Sequence, residues 1–376
     1  MSKARILKIE LIPLNLPMRR PFATALGEKQ ISRNLFIILG LENGITGYGE
    51  ASASLAWPLD TQEAMAALLR KIIPSLIGSE IKSYVKLIRR VWSGAGEHPT
   101  AAAALECALW DAFAKNRGIS LWKLFGGKKR FVTTSFTISA WPPDEAAAAA
   151  KKMYARGFRQ LKIKVTGKNP DEDLARILRV AQNAPNAKLI IDANQGFETK
   201  EAVHFARALK ILRLPIQLIE QPVRKENWEG LREVAQKGGI PVAADESARS
   251  VGDACRLIQK KMVSVINVKL AKMGLLGALE IIRRAKSAAI RLMIGCMAES
   301  AIGLAPSVHL ASGTGAFHFS DLDSFLLVRS PKSTPGFTSR GPQLSINPKL
   351  SGSGGRFHPS PRKMIIARRP LEAVFS

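Results

Sequence analysis

The chain is poor in cysteine, histidine and aromatic residues, and it lacks long apolar runs. Its three cysteines, Cys107, Cys255 and Cys296, are scattered and match neither a metal-binding spacing nor a disulfide framework. The five histidines are too dispersed for a zinc site. No apolar run approaches the roughly 20 residues that a membrane span needs. The first residues, MSKARILKIELIPL, lack the apolar stretch and cleavage site of a secretory signal, so we expect a cytoplasmic protein.

Acidic residues are also few: 30 Asp and Glu face 56 Lys and Arg, which gives a formal net charge of +26. The basic residues are spread along the whole chain, without an arginine-rich, RNP or zinc-finger motif. A solvated basic surface is therefore favoured, and nucleic-acid binding remains a distant alternative. The main feature in favour of that alternative is the basic tail, with Arg356, Arg362, Lys363, Arg368 and Arg369.

Strand-like and helix-like segments alternate from residue 130 onward. The helical stretches include 144–157 and 170–184, each placed between two apolar, β-branched segments. The eight strand-like segments are 131–138, 160–165, 188–194, 216–222, 241–247, 264–270, 290–296 and 315–321. This order is typical of parallel strands joined by helices, and eight units predict a TIM-type barrel. An open doubly wound sheet is the alternative, which the missing glycine-rich phosphate motif disfavours.

Charged residues lie at or just beyond the ends of five successive strands. They are Lys164, Asp192, Glu220, Asp245 and Lys269, separated by 28, 28, 25 and 24 residues. Each separation equals one strand and one helix. Because barrel enzymes place their sites at the carboxyl ends of the strands, we expect these side chains to meet at one mouth.

The segment LKIKV, residues 161–165, alternates lysine with apolar residues. Such alternation usually indicates a half-exposed strand with its lysines in water. The regular spacing of the charged residues at five strand ends reverses this interpretation. It predicts that Lys162 and Lys164 point towards the mouth.

The residue types at the mouth predict metal-assisted proton transfer. Asp192, Glu220 and Asp245 offer oxygen ligands alone, which favour Mg²⁺ or Mn²⁺ over zinc. Lys164 and Lys269, on the second and sixth strands, would each reach the α-carbon of a carboxylate substrate from one face. The metal would stabilise the enediolate formed when the α-proton leaves. A lysine base needs a lowered pKa, and we expect burial and the neighbouring charge of Lys162 to lower that of Lys164.

The remaining segments predict a second domain. We assign residues 1–126 to an α+β capping domain, 127–324 to the barrel, 325–350 to a return into the capping domain, and 351–376 to a basic, poorly ordered tail. Within the capping domain we expect strands at 5–16 and 35–49 and helices near 61–73, 81–92 and 100–116. An Asn-Gly pair at 43–44 predicts a hairpin turn.

Five motifs, LKIKV, IDANQG, IEQP, ADES and NVKLAKMG, occur in this order and phase. Together they resemble the enolase superfamily, muconate-lactonizing subgroup, over nearly the whole chain to about residue 350. The resemblance implies a (β/α)₇β barrel covered by a capping domain, whose loop near residues 17–30 closes over the mouth. Lysine bases acting with magnesium are a general feature of such sites. We further expect a homo-oligomer that acts on a small molecule and does not attach to a membrane.

The segment SDLDS places Asp321 and Asp323 just beyond the eighth strand. Asp and Ser favour turns, but two carboxylates at the mouth would also bind an ammonium group. This pair resembles that of the dipeptide epimerases, where it binds the substrate's α-ammonium. By the same similarity, Thr137, Lys162 and Cys296 would contact a dipeptide.

The expected function is therefore metal-dependent epimerisation of a dipeptide at the α-carbon of its C-terminal residue. The alternatives within the subgroup are an N-acylamino acid racemase, an o-succinylbenzoate synthase and a cycloisomerase.

Side-chain specificity is open. Relatives that act on Ala-Glu commonly carry an arginine in the capping loop, where this chain has Gly27. This glycine, together with Trp57 as an apolar or cation-π wall, favours a hydrophobic reacting residue. Arg19 or Arg20, folded inward, would instead restore recognition of an acid, and Lys29 is a further candidate.

Overall fold

The computed structural model describes residues 4–330 and 333–357, and the backbone of 365–368. The first part of the chain forms an antiparallel sheet and a set of helices. The strands are β1 (Ile6–Thr24), β2 (Gly27–Leu41) and β3 (Thr46–Ser52), and the helices are α1 (Gln62–Ile72), α2 (Tyr84–Ser93), α3 (Pro99–Asn116) and α4 (Leu121–Leu124), with 3₁₀ turns at Ile73–Ser75 and Ile81–Ser83. The expected hairpin and three helices are therefore present, although β1 continues eight residues beyond its predicted end at residue 16.

Helix α3 packs directly on strand β3. Its sequence favours a helix because Pro99 occupies the first turn and alanines follow. Two glycines of β3 permit the close approach: a Cβ atom at Gly47 or Gly49 would lie 2.2 or 2.0 Å from a carbonyl oxygen of α3. The capping domain is thereby held together by backbone contact as well as by apolar side chains.

The hairpin between β1 and β2 reaches the barrel. Ala25 and Leu26 connect the two strands, and Phe22 pairs with Lys29 across them. Ala23 accepts a hydrogen bond from the Ala140 backbone N–H at 3.1 Å, just beyond the first barrel strand. The segment expected to form a loop near 17–30 is thus mostly strand, and its tip lies against the barrel.

The barrel consists of eight strands that pair in parallel, in chain order. They are β5 (Phe136–Ile138), β6 (Gln160–Lys164), β7 (Lys188–Asp192), β8 (Ile216–Glu220), β9 (Val242–Ala244), β10 (Val265–Val268), β11 (Arg291–Ile294) and β12 (Phe319–Ser320). The Ser135 N–H donates to the Ser320 carbonyl at 2.8 Å, which joins the last strand to the first. The predicted TIM-type barrel is confirmed, and the open doubly wound sheet is excluded.

Helices follow the barrel strands and cover their outer side. They are α5 (Pro143–Ala155), α6 (Pro170–Asn183), α7 (Thr199–Ile211), α8 (Trp228–Lys237), α9 (Val251–Gln259), α10 (Leu270–Ala288), α11 (Ala301–Thr314) and the short α12 (Ser324–Leu327). The interior of the barrel is closed below the mouth by one apolar cluster. Its members are Ile190, Leu218, Ala243, Val265, Met293 and Phe319, all buried. The barrel is therefore a packed core below the mouth.

The last part of the chain contacts the capping domain at Val328, which forms an antiparallel bridge with Met18 of β1. The segment 131–138 contains two strands, β4 (Phe131–Thr133) and β5, and β4 forms a small sheet with β14 (Thr338–Arg340) and β15 (Gln343–Ser345). These strands of 325–350 therefore pair beside the barrel and not with the capping sheet. The division of the chain at residues 126 and 324 remains a prediction.

The tail was expected to be poorly ordered, and for 351–357 this is wrong. In this segment Ser353 and Phe357 are buried, and the Phe357 ring stacks on that of Phe36 with centroids 4.6 Å apart. Arg356 and Phe357 form β16, which pairs with β13 (Ser333–Thr334). The backbone of β17 (Ile365–Arg368) pairs with β1, so it adds a fourth strand to the capping sheet. The prediction for the rest of the tail falls outside the described residues.

Across the described residues, no helix combines the length and the hydropathy that a membrane span requires.

Candidate active site

The five charged residues predicted at successive strand ends meet at the mouth of the barrel. Lys164, Asp192 and Glu220 are the last residues of β6, β7 and β8 and pair directly in register. Asp245 and Lys269 directly follow β9 and β10. All five are buried, with at most 9% of their surface exposed. The parallel register places them at one edge because equivalent residues of neighbouring strands end together.

Both lysines of LKIKV point into the barrel. The Lys162 Nζ atom lies 2.9 Å from Asp192 Oδ2, 2.8 Å from Glu220 Oε2 and 2.7 Å from Asp321 Oδ2. The Lys164 Nζ atom lies 2.6 Å from Asp192 Oδ2 and 2.9 Å from Asn194 Oδ1. The interpretation of this strand as half exposed is therefore wrong.

Asp245 is held by two lysines. The Lys269 Nζ atom lies 2.5 Å from Asp245 Oδ2. Lys272, one helical turn further on, donates to Asp245 Oδ1, to the Asp245 carbonyl and to the Asn267 carbonyl, each at 2.8 Å. All three protons of the Lys272 ammonium are used, so this side chain fixes the position of Asp245.

Two lysines of the mouth, Lys162 and Lys269, are stabilised in their charged form. Burial lowers the pKa of Lys269, but Asp245 and Glu220 outweigh burial and raise that pKa above its usual value. Asp192, Asp321 and Glu220 raise the pKa of Lys162 in the same way. The lowered pKa that a lysine base needs is thus not found at Lys269, because the attraction of Asp245 and Glu220 outweighs both burial and the repulsion of Lys162.

Carboxyl groups outnumber ammonium groups at the mouth. We define the mouth cluster as the carboxyl groups of Asp192, Glu220, Asp245, Glu246, Asp321 and Asp323 with the ammonium groups of Lys162, Lys164, Lys269 and Lys272. Two carboxyl groups are left without a matching ammonium, and the pKa values reflect this excess. Burial and a neighbouring aspartate raise the pKa values of Glu220, Glu246 and Asp323 to about 7 each.

The residues of the mouth fit a hard divalent cation in charge and in ligand type. When ionised, the two surplus carboxyl groups balance the +2 charge of one such ion, and Asp192, Glu220 and Asp245 supply oxygen ligands only. Glu220 Oε2 lies near the Lys162 ammonium but receives no hydrogen bond from the described residues, and the same holds for Glu246 Oε2. Within the described chain the acids do not form a ready-made metal cluster, because lysine ammonium groups lie between them.

Asp321 and Asp323 lie across the mouth from these acids. Asp323 Oδ2 accepts a hydrogen bond from the Thr137 N–H at 2.6 Å, and Asp321 Oδ1 accepts one from Thr137 Oγ1 at 3.1 Å. Although Asp323 precedes α12, its side chain makes no cap hydrogen bond to that helix. The pair therefore faces the mouth, where Thr137 and Cys296 also line the cavity.

A cavity of about 130 Å³ lies between the mouth and the capping domain. Its upper wall, which we call the roof, consists of Phe22, Thr24, Leu26 and Lys29 of the hairpin and of residues 53–57. Among the cations proposed to replace an arginine at position 27, Lys29 lies in this wall. Arg20 instead pairs with Glu145 at 2.5 Å and lies over the Trp141 ring, and Arg19 is exposed.

Three residues of the mouth were not predicted to belong to the site: Asn194, Glu246 and Lys272. They belong to the motifs IDANQG, ADES and NVKLAKMG, which the sequence does contain. These three residues lie close to predicted strand ends, and this position could have identified them as site residues. Lys29 was weighed only as a substitute for an arginine, because its direction depends on the pairing of β1 with β2.

The fold and the mouth together define a class of protein: a barrel enzyme with buried acids and lysines beneath a capping domain. Residues 8–126 match the family described as mandelate racemase / muconate lactonizing enzyme, N-terminal domain, and residues 145–341 match the enolase C-terminal domain-like family. The chain belongs to the mandelate racemase / muconate lactonizing enzyme family of the enolase superfamily. The resemblance drawn from the five motifs is thereby confirmed.

Several relatives are similar over almost their whole length. The chain is 37% identical to the L-Ala-D/L-Glu epimerase of Thermotoga maritima over 343 residues. The aligned region covers 91% of this chain and 99% of that protein. It is 36% identical to the aromatic dipeptide epimerase of Herpetosiphon aurantiacus over 333 residues. The aligned region covers 89% of this chain and 94% of that protein. Its fold matches the dipeptide epimerase of Enterococcus faecalis complexed with Mg and L-Leu-L-Tyr. That match has a TM-score of 0.89 at 29% identity and covers 94% of this chain and all of the other.

Proposed function

We propose that this protein epimerises dipeptides by a magnesium-dependent 1,1-proton transfer at the α-carbon of the C-terminal residue. The observation that carries the proposal is the position of two lysines, Lys164 and Lys269, on the second and sixth of eight barrel strands. They lie on opposite sides of the mouth, with three acids on the strands between them. The relatives named above as dipeptide epimerases support the same reaction.

We assign the substrate carboxylate to one side of the mouth, where strands β7, β8 and β9 end. Asp192, Glu220 and Asp245 would hold Mg²⁺ there, and the relative complexed with Mg and a dipeptide supports this ion. When bound, the ion supplies positive charge that stabilises the negative charge developing on the carboxylate. Mn²⁺ has the same ligand preference and is the second ion to test.

Proton transfer is assigned to the two lysines. Neutral Lys164 takes the α-proton on one face, so that the C–H bond breaks and its electron pair moves into the carboxylate. The Lys269 ammonium then donates a proton to the opposite face, which forms the new C–H bond. The reverse reaction uses the same groups in exchanged roles.

The substrate α-ammonium is assigned to Asp321 and Asp323. Their pair lies where the eighth strand meets the first, opposite the three acids, and Thr137 orients both carboxylates. With its ammonium and carboxylate held on opposite sides of the mouth, the substrate would carry the α-carbon of its second residue between the two lysines. An N-acylated amino acid carries no such ammonium and would leave this pair without a partner.

Deuterium exchange tests the proposed reaction. We expect L,L-dipeptides in D₂O with Mg²⁺ to gain α-deuterium and to form the second diastereomer, as followed by NMR. Removal of the metal with a chelator should stop both processes. If a broad library of dipeptides shows no exchange at all, the proposed function is wrong.

The acid pair distinguishes dipeptides from acylated substrates. In the variant Asp321→Asn with Asp323→Asn we expect dipeptide turnover to fall by roughly 100-fold or more, because charge-assisted hydrogen bonds to the ammonium are lost. Retained turnover of an N-acylamino acid by this variant would support the racemase alternative.

The homo-oligomeric state remains a prediction that sedimentation analysis can test.

A further inference from the structure

The connections that lead from each barrel helix to the next strand contain no acidic residue. They are residues 156–159, 184–187, 212–215, 238–241, 260–264, 289–290 and 315–318. The last four residues of each preceding helix and the first residue of each following strand contain no acid either. Because parallel strands begin at one edge, these connections lie together at the end of the barrel opposite the mouth. We call this end, formed by the seven connections, the basal face.

The basal face has many cations and no carboxylates to neutralise them. The basic residues within the connections are all exposed, and none forms an ion pair with a carboxylate of the described chain: Arg156, Arg159, Arg213, Lys260 and Lys261. Lys188, Lys210 and Lys286 flank the connections and are exposed as well. The basic residues are spread along the sequence, but the alternation of strand and helix collects this set at one end of the barrel.

The segment 128–130, Lys-Lys-Arg, extends this face. The backbone N–H groups of Lys128 and Lys129 donate to the Gly313 and Ser312 carbonyls at 3.0 and 2.9 Å, at the C-terminal end of α11. The backbone thus caps this helix, and the side chains of Lys128, Lys129 and Arg130 remain exposed. Within the described chain they too have no carboxylate partner.

Helix dipoles do not account for the whole set. A cation is stabilised near the C-terminal end of a helix, but the effect falls off within the last turn. Arg159 lies four residues beyond the end of α5, and Lys188 lies five residues beyond the end of α6. The mouth end differs, since the connections after β7, β8, β9, β11 and β12 each contain an acid: Glu198, Glu226, Asp245, Glu299 and Asp321. Charge is therefore polarised along the barrel axis.

Exposed apolar side chains accompany the cations of the basal face. Ile211, at the end of α7, is 79% exposed, the highest value among the large apolar residues of the described chain, and Leu212 follows it. Phe131, directly after Arg130, is 47% exposed. Helix α7 leads from the third strand to the fourth, whereas α11, which contacts the segment 128–130, leads from the seventh to the eighth. These apolar side chains therefore lie on opposite sides of the ring of strands, with cations between them.

We propose that the basal face docks on an anionic lipid membrane. Cations spread around the whole ring, with apolar side chains on opposite sides, match a broad planar partner. The cations would contact lipid phosphates while Ile211, Leu212 and Phe131 enter the headgroup region, and such electrostatic and apolar contacts act together in surface docking. A nucleic-acid strand would instead follow one line of cations and stack its bases on aromatic rings, which gives the aliphatic Ile211 no role.

This docking needs no membrane-spanning segment. The sequence predicted no attachment to a membrane because it has no apolar run long enough to cross one, but a protein that lies on the surface does not require such a run. The mouth would face away from the lipid and remain open to small molecules. The proposal therefore does not depend on the proposed function.

Flotation with lipid vesicles tests the proposal. We expect the protein to bind vesicles of equal parts phosphatidylcholine and phosphatidylglycerol, but not phosphatidylcholine alone, at about 50 mM salt, and to be released as salt screens the charges. Lys128→Glu with Lys129→Glu should weaken binding by at least roughly 30-fold, because each cation near the surface contributes about 5-fold. Ile211→Ser should weaken it roughly 10-fold through the lost apolar contact.

The matched control is Arg70→Glu with Lys71→Glu, since both are exposed cations of α1 in the capping domain, and it should bind as the unmodified protein does. An equal loss in this control would show that net charge alone attracts the lipid, and the proposal would be wrong. Lack of binding to the mixed vesicles at low salt would also overturn it. Binding of an oligothymidine that Lys128→Glu with Lys129→Glu abolishes, without vesicle binding, would make the face a nucleic-acid surface instead.

A second variant protects the test against misfolding. Circular dichroism checks the fold of each variant, and Lys260→Glu with Lys261→Glu changes another connection of the basal face by the same charge. This second variant should lose vesicle binding as the first does, and normal binding by both would exclude the basal face as the docking surface. Failure of the proposed epimerase function would change none of these results, because no dipeptide is used.

Discussion

Lys164 and Lys269 have different partners at the mouth, although both are assigned the role of a base. Lys164 contacts Asp192 and Asn194, whereas Lys269 contacts Asp245. The two lysines share no hydrogen-bond acceptor among the described residues. The two faces of the substrate are therefore expected to respond separately to mutation.

Lys269→Ala should reduce epimerisation by 100-fold or more, the usual contribution of a positioned acid or base. Lys164 should still exchange the α-proton of the one diastereomer whose proton faces it. NMR in D₂O measures both processes in the same sample, starting from each pure diastereomer. Lys164→Ala, the matched variant, should keep exchange of the other diastereomer. Normal epimerisation by Lys269→Ala would exclude the two-base mechanism.

At the residue scale, the sequence predicted the identity of the charged groups better than their electrostatics. One strand and one helix separate each of Lys164, Asp192, Glu220, Asp245 and Lys269 from the next, so their meeting point followed from the spacing. The pKa shifts of Asp192, Glu220, Asp245 and Lys269 depend on ion-pair distances of 2.5 to 2.9 Å, which the spacing along the sequence does not predict.

At the scale of single elements, helix α10 contains a break that links the barrel to the capping domain. Gly274 has φ 64° and ψ −175° inside the helix, a conformation nearly confined to glycine. The Glu106 side chain of α3 accepts a hydrogen bond at 2.7 Å from the Leu276 N–H, just after the break. A Cβ atom at Gly274 would lie 1.9 Å from Glu106 Oε2. The first turn of the second half of α10 thus donates a hydrogen bond to a carboxylate of the capping domain.

Gly274→Ala should destabilise the protein by roughly 3 kcal/mol or more, because backbone strain and the clash with Glu106 add together. Gly118→Ala is the control: Gly118 has φ +65° but no heavy atom within 4 Å of its added Cβ. It should cost about 1 kcal/mol from backbone strain alone. Denaturant unfolding of both variants measures the difference. Equal losses of stability would mean that Glu106 moves aside and that the break tolerates a side chain.

The elements of the barrel were largely predictable, and those of the chain end were not. Strands such as 188–192 and helices such as 170–183 follow from apolar runs and cap residues; Asn169, for example, caps α6. The pairing of β4 with β15 was not predictable, because it joins residues more than 200 positions apart. The stacking of Phe357 on Phe36 is missed for the same reason: composition suggested disorder, and only the tertiary contact orders the segment.

At the scale of the whole molecule, charge is unevenly distributed. The chain has a net charge of +26, whereas the buried mouth cluster has more carboxyl groups than ammonium groups. A basic exterior raises the local concentration of anionic small molecules. Nucleic-acid binding is the alternative explanation of this charge. In that case the protein would bind nucleic acid with an affinity that falls steeply as salt rises, and this salt-sensitive binding would persist after truncation at residue 350.

A buried histidine connects the barrel to the segments on either side of it. His309 of α11 is 1% exposed; its Nδ1 accepts a hydrogen bond from the Trp122 N–H at 3.0 Å, and its Nε2 lies 3.2 Å from the Gly336 carbonyl. The neutral ring, with its proton on Nε2, satisfies both contacts. A proton on Nδ1 would oppose the Trp122 N–H, and burial lowers the pKa of His309 to about 4.

This pKa predicts a loss of stability in mild acid. The unfolded histidine binds a proton near pH 6.5, whereas the folded one binds it only near pH 4, so acid favours the unfolded chain between these values. The loss attributable to His309 should be roughly 3 kcal/mol between pH 7 and pH 4. A glutamine can make both hydrogen bonds without titrating, so His309→Gln should remove this part of the pH dependence. Denaturant unfolding across this range measures the effect, with the exposed His204→Gln as control. Parallel stability curves for His309→Gln and the unmodified protein would show that His309 is protonated equally in both states.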